Sequence, residues 1–435
     1  MSSSTHFQVA YVVSQDLIKY SSRLPSNPGR SILVHSLANA FGLLSHEYSS
    51  LRRLQVVKPK TATINDLGAY HAQHYLDALL RTPDGTDSED LSEFGLEDDC
   101  PRFPGLPEYT CLVAGATITA VNALRFGYAD IAINWDGGRH HAQKSRASGF
   151  CYVADCVLAI LLLKRTQPSP ALSLSSDTTL TNATPSHRKP RVMYLDLDVH
   201  FSDGVSQAFY SAAKSSSRQV LTVSIHHAAP GFFPSSPLAQ LPFDPSTSFD
   251  PFTLSLPLLE GASNSTFAAI WPLIERIKDV FKPDYVVVQC GVDGLAGDPK
   301  CKVFNWSLDV AAEGSLGWCI SRIVDDWKGI RKLFLGGGGY HAPNAARAWA
   351  YLTSIILGNP LDISISIPDD PSHSAFPLYA PSFTLDVPAG NMLDMNSTEY
   401  LAEAQKRFKR ASEMLQEILQ AQQSQPQESQ LVSCD

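Results

Sequence analysis

No two cysteines of the sequence stand in a C-x-x-C pair, so neither a cysteine-built zinc motif nor a dithiol redox motif is present. The eight that exist lie mostly inside apolar runs and read as buried thiols of a reducing compartment. Basic residues are in deficit, 34 Lys plus Arg against 43 Asp plus Glu for a net charge of -9, which argues against a grip along nucleic-acid phosphates. No segment approaches the roughly 20 apolar residues that a membrane helix needs. The N-terminus, MSSSTHFQVAYVVSQ, lacks a basic start followed by an apolar stretch. The expectation is a soluble intracellular protein that contacts neither membrane nor nucleic acid directly. Internal repeats are absent as well.

What is present is ample core material, 44% hydrophobic over 435 residues, arranged in alternation. Short β-rich runs start at Val9, Asp130, Val192, Leu221, Tyr285 and Lys332, several of them apolar on both faces. Helical patterns fall between, such as GATITAVNALRFG from Gly115, ADCVLAILLLKR from Ala154 and NAARAWAYLTSIILG from Asn344. Strands buried on both sides and alternating with helices predict an α/β domain: a mostly parallel multi-stranded sheet covered by helices on both faces. That single domain is expected over residues 1–395, with 167–190, rich in Ser, Thr and Pro, as a disordered insertion. Residues 396–435 read as a C-terminal helix, capped by Asn396 with Glu399, and a Gln/Ser-rich tail.

Four strand runs end in polar clusters: Asp136-Gly-Gly-Arg-His140-His141, Asp196-Leu-Asp198-Val-His200, Gly291-Val-Asp293, and Gly336 to Gly339 before Tyr340. Open parallel sheets bind ligands beyond the carboxyl ends of their strands, so the four clusters can share one crevice. In DLDVH an extended backbone aims Asp196, Asp198 and His200 to one side and Leu197 and Val199 to the other. Asp198, His200 and Asp293 then make two carboxylates and an imidazole, a three-ligand set that leaves a coordination position open, as catalytic zinc requires. Fe2+ would be accepted nearly as well. A lone D-x-D more often caps the next helix; its clustering with His200 tips the balance toward metal. His140 and His141 follow a Gly-Gly turn that lets both enter the crevice, where one can serve as general base. An isolated His pair would more often be solvated or core-satisfied. The GGGGY run lacks the endings of phosphate-binding loops, which rejects nucleotide binding. It can instead carry Tyr340 inward to donate to a developing oxyanion, the plainer alternative being a tight turn with a core tyrosine.

Together these residues resemble the class I zinc-dependent histone deacetylases, from about Tyr11 to about Leu385. RSILVHSL, DCP, AGATITA, INWDGGRHHAQKSRASGFCYVAD, YLDLDVHFSDGV, VSIHHAAPGFFP, QCGVDGLAGDP and LGGGGYHAPNAARAW carry the similarity in order. The resemblance implies an arginase/deacetylase-like fold and hydrolysis of Nε-acetyl-lysine in histone or non-histone proteins, with release of acetate. Carried over by position, it makes Asp198, His200 and Asp293 ligands of Zn2+, His141 the general base and acid, and His140 its electrostatic support. Asp196 and Asp203 would orient the two histidines, and Tyr340 would polarise the acetyl carbonyl. Gly149, Phe150 and Phe233 would line the acetyl-lysine channel, Asp99 would hold the substrate backbone at the rim, and the Asp196 region with Ser224 would hold a structural K+. A nuclear location, with the cytoplasm as a second one, and a part in chromatin regulation and repression follow from the same likeness.

The sequence departs from the family pattern at several positions. Phe201 stands where a second histidine is usual, and Arg139 and Ser145-Arg146 replace the usual neighbours of the His pair. Lys300 replaces a channel-lining Leu or Met, a cation that can repel basic substrates or shift acyl preference unless its stem turns outward. Pro299 and Pro343 stand where corepressor-bound members carry arginines for an inositol phosphate, which implies that this site is absent. Two rival readings remain, an acetylpolyamine amidohydrolase of the same fold and a non-catalytic chromatin scaffold. A two-manganese ureohydrolase would need bridging carboxylates that the motifs do not offer.

Overall fold

The computed structural model of the chain describes residues 8–81, 91–165, 188–210, 219–243, 249–370 and 373–424. Nearly all of the expected insertion at 167–190, and the tail after residue 424, lie outside the described residues.

Strands β1 (Val9–Val12), β2 (Leu54–Val57), β3 (Ile131–Asn134), β4 (Val192–Asp196), β5 (Val220–His227), β6 (Thr253–Leu258), β7 (Tyr285–Gln289) and β8 (Arg331–Leu335) form one sheet. Its order is β2-β1-β3-β8-β7-β4-β5-β6, and every neighbouring pair is parallel. The helices are α1 (Gln15–Ser21), α2 (Arg30–Ala40), α3 (Ile64–Leu67), α4 (Gln73–Leu80), α5 (Leu106–Arg125), α6 (Asp155–Leu163), α7 (Asp203–Phe209), α8 (Asn264–Phe281), α9 (Leu316–Asp326), α10 (Ala342–Leu357) and α11 (Thr398–Ser424).

Alternation along the strands divides the apolar side chains between two cores. Met193, Leu195, Val286, Val288 and Phe334 join one cluster with residues of α2, α8, α9, α10 and α11. Val192, Tyr194, Tyr285, Val287, Leu333 and Leu335 join another with residues of α4, α5 and α6. Helices therefore cover both faces, which is why these strands read as unbroken apolar runs. The architecture is the α/β one expected. None of the described helices is long and apolar enough to cross a membrane.

Some local expectations are corrected. The edge strands β2 and β6 escape the sequence reading: Gln55 and Val56 in β2 are exposed, and β6 carries Pro257. Helix α5 starts at Leu106, well before Gly115, because Gly105 in a left-handed conformation and Pro107 open it. Asn396 does not cap α11. Its amide is spent on the backbone of Leu259 in both directions, and Ser397 Oγ accepts from Tyr400 N–H instead. From there α11 lays Ala404, Phe408, Ala411, Leu415 and Leu419 into the first core against α8. Burial of each large apolar side chain stabilises that dock by about 1.5–3 kcal/mol.

Candidate active site

The strands β3, β8, β7 and β4 are consecutive in the sheet, and each ends in one of the four polar clusters. The topology thus brings the clusters to one edge. The chain leaves β4 at Asp196 and proceeds through bends, not as extended strand, so the geometry assumed for DLDVH holds only to Asp196. The alternation survives because each carboxylate folds back onto the backbone two residues on. Asp198 N–H donates to Asp196 Oδ1 (3.0 Å) and His200 N–H to Asp198 Oδ1 (3.1 Å), while Leu197 and Val199 enter the core.

Asp198 and Asp293 are fully buried and approach the same ring atom, His200 Nδ1, at 3.2 and 3.0 Å. Gln289 Nε2 and Gly338 N–H each donate to Asp198 Oδ2 at 2.8 Å, and Val199 N–H donates to Asp293 Oδ1 at 3.1 Å. The backbone closes tightly around them: a Cβ on Gly291 would overlap Asp198 Oδ2, and one on Gly338 would overlap Asp293 Oδ2. Burial and the charge of Asp198 push the Asp293 carboxyl up to about 7. Burial opposes the charged form of His200, but its bonds to Asp198 and Asp293 outweigh this and hold it well above the ordinary imidazole range. Two desolvated carboxylates sharing one imidazole proton repel each other, and a divalent cation in place of that proton relieves the repulsion. The donor set therefore fits a metal ion.

Cys301 offers a competing set. Its Sγ lies 3.9 Å from His200 Nε2 and 3.9 Å from Asp293 Oδ2, so His200, Asp293 and Cys301 also bring donor atoms within 4.8 Å of one another. The Nδ1 side is the stronger site, because both carboxylates converge there and burial pushes the Cys301 thiol up to about 12, leaving it protonated.

His140 and His141 lie with ring centroids 3.9 Å apart, yet their surroundings separate them. His140 Nδ1 donates to Asp196 Oδ2 (2.8 Å) and His141 Nδ1 to Asp203 Oδ1 (2.7 Å). Burial acts against the charged form of His140, but the charges of Asp196 and Asp198 raise it to about 9. Burial and the neighbouring His140 charge lower His141 to about 4 against the pull of Asp203. At neutral pH one imidazole is a cation and the other a free base.

Phe233 stands edge-on to His141 with centroids 4.9 Å apart, and Phe150 stands edge-on to Tyr340 at 5.6 Å. Gly149 takes φ +52 against His141, and its N–H donates to Asp99 Oδ2 (3.1 Å) on the exposed rim. Burial and the charges of Asp293 and Asp198 hold the Tyr340 hydroxyl well above its ordinary value, so it stays a donor. Ser224 is the register partner of Asp196 in the sheet, and its hydroxyl pairs with His226 Nδ1 at 3.0 Å. Phe201 is buried against His226, centroids 4.9 Å apart.

The sequence reading missed four contributors: Gln289, Asp298, Cys301 and Arg30. Gln289 was readable as the polar end of the apolar run YVVVQ. Asp298 accepts from Tyr340 N–H (2.6 Å), and Arg30 Nη1 donates to the carbonyls of Gly337 (3.0 Å) and Gly339 (2.9 Å). Neither residue carries a local mark of these distant bonds.

A histone deacetylase domain matches residues 24–356. The chain belongs to the histone deacetylase family. It is 34% identical over 404 residues to histone deacetylase 8 of Xenopus tropicalis, covering 92% of this chain and 96% of that protein. Histone deacetylase 8 of Danio rerio is 34% identical over 396 residues, 90% of this chain and 92% of its own. Histone deacetylase RPD3 of Saccharomyces cerevisiae is 32% identical over 400 residues, 91% and 81%. This deacetylase is accordingly a metal-dependent hydrolase that acts on acetylated lysine in proteins. His141, His200 and Tyr340 stand together within the matched span, with ring centroids 5.8 Å apart for His141 and His200 and 6.5 Å apart for His200 and Tyr340.

Proposed function

We propose that the deacetylase hydrolyses Nε-acetyl-lysine of histones or non-histone proteins at one Zn2+ held by Asp198, His200 and Asp293, and that it acts in chromatin regulation and repression in the nucleus, with the cytoplasm as a second location. The observation that carries this reading is the pair of buried carboxylates converging on His200 Nδ1 beside a neutral His141. When bound, the ion supplies Lewis acidity to water and to the amide carbonyl. His141, free to accept a proton, takes one from the attacking water and returns it to the departing lysine amine. The Tyr340 hydroxyl donates to the oxyanion of the tetrahedral intermediate, and the His140 cation, fixed by Asp196, stabilises the same charge. Asp203 keeps His141 in the tautomer whose Nε2 faces the reaction. Phe150, Phe233 and Gly149 would line the lysine stem, and Asp99 would accept from the substrate backbone. Fe2+ can replace zinc in this donor set, and a K+ beside Asp196 and Ser224 would steady the β4 end.

The test combines metal analysis of the purified protein with acetate release from an acetyl-lysine peptide and from acetylspermidine, for wild type and the His141→Ala and Tyr340→Phe variants. One zinc or iron per chain and peptide turnover that both variants lose supports the proposal. Faster turnover of acetylspermidine would move the substrate to polyamines, and a metal-loaded protein releasing no acetate would make it a scaffold.

A further inference from the structure

Lys300 lies over Phe150 and Tyr340, two of the residues proposed above to surround the acetyl-lysine. Its side chain is exposed, yet its ammonium lies 4.3 Å from the centroid of the Phe150 ring and 5.1 Å from that of Tyr340. This placement is built in. Asp298 Oδ1 accepts from Lys300 N–H (3.0 Å) and Cys301 N–H (3.3 Å), while Asp298 Oδ2 accepts from Tyr340 N–H (2.6 Å). A single carboxylate therefore ties the loop of Lys300 to the loop of Tyr340. Among the described residues no carboxylate lies within ion-pair distance of the ammonium, whose counterpart is two aromatic rings. Lys302, two residues on in the same loop, is also exposed, and the Asp99 carboxylate is engaged by the N–H of Gly149, the residue before Phe150.

We propose that Lys300 is a specificity-determining residue whose ammonium covers the aromatic mouth of the channel, so that the enzyme selects acetyl-lysines flanked by acidic residues and disfavours those flanked by basic ones. The proposal deepens the deacetylase reading and rests on it. For an acetyl-lysine stem to pass Phe150 and Tyr340, the ammonium has to move off the rings and give up a cation–π contact. A carboxylate next to the acetyl-lysine replaces that contact with an ion pair, whereas a flanking Arg or Lys brings a like charge to an unpaired cation. Because the side chain is exposed, its charge meets the neighbours of the acetyl-lysine, not the acyl group deeper in the channel.

The test compares kcat/KM of the metal-loaded enzyme on two acetyl-lysine peptides that differ only in having Asp and Glu or two Arg beside the modified lysine. An exposed charge pair changes a binding constant by about two- to fivefold, so wild type should favour the acidic peptide by about tenfold at low salt, mainly through KM. Lys300→Met should reduce that preference to about threefold or less, and Lys300→Glu should abolish or invert it. Lys302→Met should move it less than Lys300→Met does, and 0.5 M salt should compress the wild-type ratio. Equal ratios in wild type, Lys300→Met and Lys300→Glu, or a wild-type preference for the basic peptide, would overturn the proposal while leaving deacetylation intact. If the metal-loaded wild type releases acetate from neither peptide, the deacetylase reading falls and this one falls with it. Circular dichroism melts keep a folding defect from being read as a specificity change.

Discussion

The division of labour between the two adjacent histidines can be tested by removing each in turn. At neutral pH His141, lowered to about 4, is unprotonated, while His140, raised to about 9, is a cation. His141→Ala removes the proton acceptor, and loss of a positioned general base costs on the order of 10²–10⁴ in rate. His140→Ala removes the cation proposed to stabilise the oxyanion, and one charge-assisted contact made there is worth about 1.5–3 kcal/mol, so its cost is about ten- to a hundredfold. It also does something that His141→Ala cannot. The His140 charge is one of the causes holding His141 down, so its removal raises His141 toward its ordinary value. A base with a higher pKa is still protonated at a higher pH, so the acid limb of kcat/KM moves toward neutrality in His140→Ala. The assay is acetate release from an acetyl-lysine peptide between pH 5 and 10. If His140→Ala costs as much as His141→Ala, or its acid limb stays in place or moves to lower pH, the base has been assigned to the wrong ring.

Tyr340→Phe keeps the ring against Phe150 but removes the donor, so kcat should fall by about 10²–10³ with KM little changed; an equal rise in KM would assign Tyr340 to substrate binding. Gly338→Ala places a methyl group against Asp293 Oδ2 and should purify with less than a tenth of the wild-type metal while melting cooperatively, whereas full metal content would contradict the site geometry. Because His200 is held protonated and Asp293 is raised to about 7 in the metal-free protein, metal binding at pH 7 should release between one and two protons, on the order of one per displaced site. Calorimetry in buffers of different ionisation heat reads that number, and zero would place the metal elsewhere. His71 and His226, each lowered to about 4 by burial, should make the fold acid-labile. Their folded values lie below the ordinary one, so the unfolded chain takes the proton first, and stability present above about pH 6.5 is lost toward pH 4, by up to about 3 kcal/mol each. Denaturant midpoints that do not fall between pH 7 and pH 5 would refute this.

The central sheet was legible because parallel strands buried on both faces leave an unmistakable run of β-branched and aromatic residues, as VMYLD in β4 and YVVVQ in β7 show. The edge strands were not. LQVV in β2 is half exposed, so it lacks the continuous apolar run that marked the centre, and TLSLPL in β6 is interrupted by serine and proline. Helix starts failed where the first turn depends on conformation more than composition. Only a left-handed Gly105 and Pro107 mark the start of α5 at Leu106, and Asn396 is a good cap in isolation that Leu259 claims first.

The site follows the same division. The residues proposed to hold the chemistry are polar groups at the ends of apolar strands, where a polar residue stands out, and so Asp198, His200, Asp293, His140, His141 and Tyr340 were candidates in the sequence. Residues that hold those groups in place are separated from them by tens or hundreds of positions. Gln289 reaches Asp198, Arg30 reaches the carbonyls of Gly337 and Gly339, and Asp298 reaches the backbone of Tyr340. Only the order β3-β8-β7-β4 makes them neighbours, and that order is not written in any one segment. The different protonation of two adjacent, chemically identical imidazoles is the clearest case: Asp196 and Asp198 both act on His140, whereas Asp203 pulls on His141 against burial and the His140 charge, a difference that the dipeptide His140-His141 cannot encode by itself.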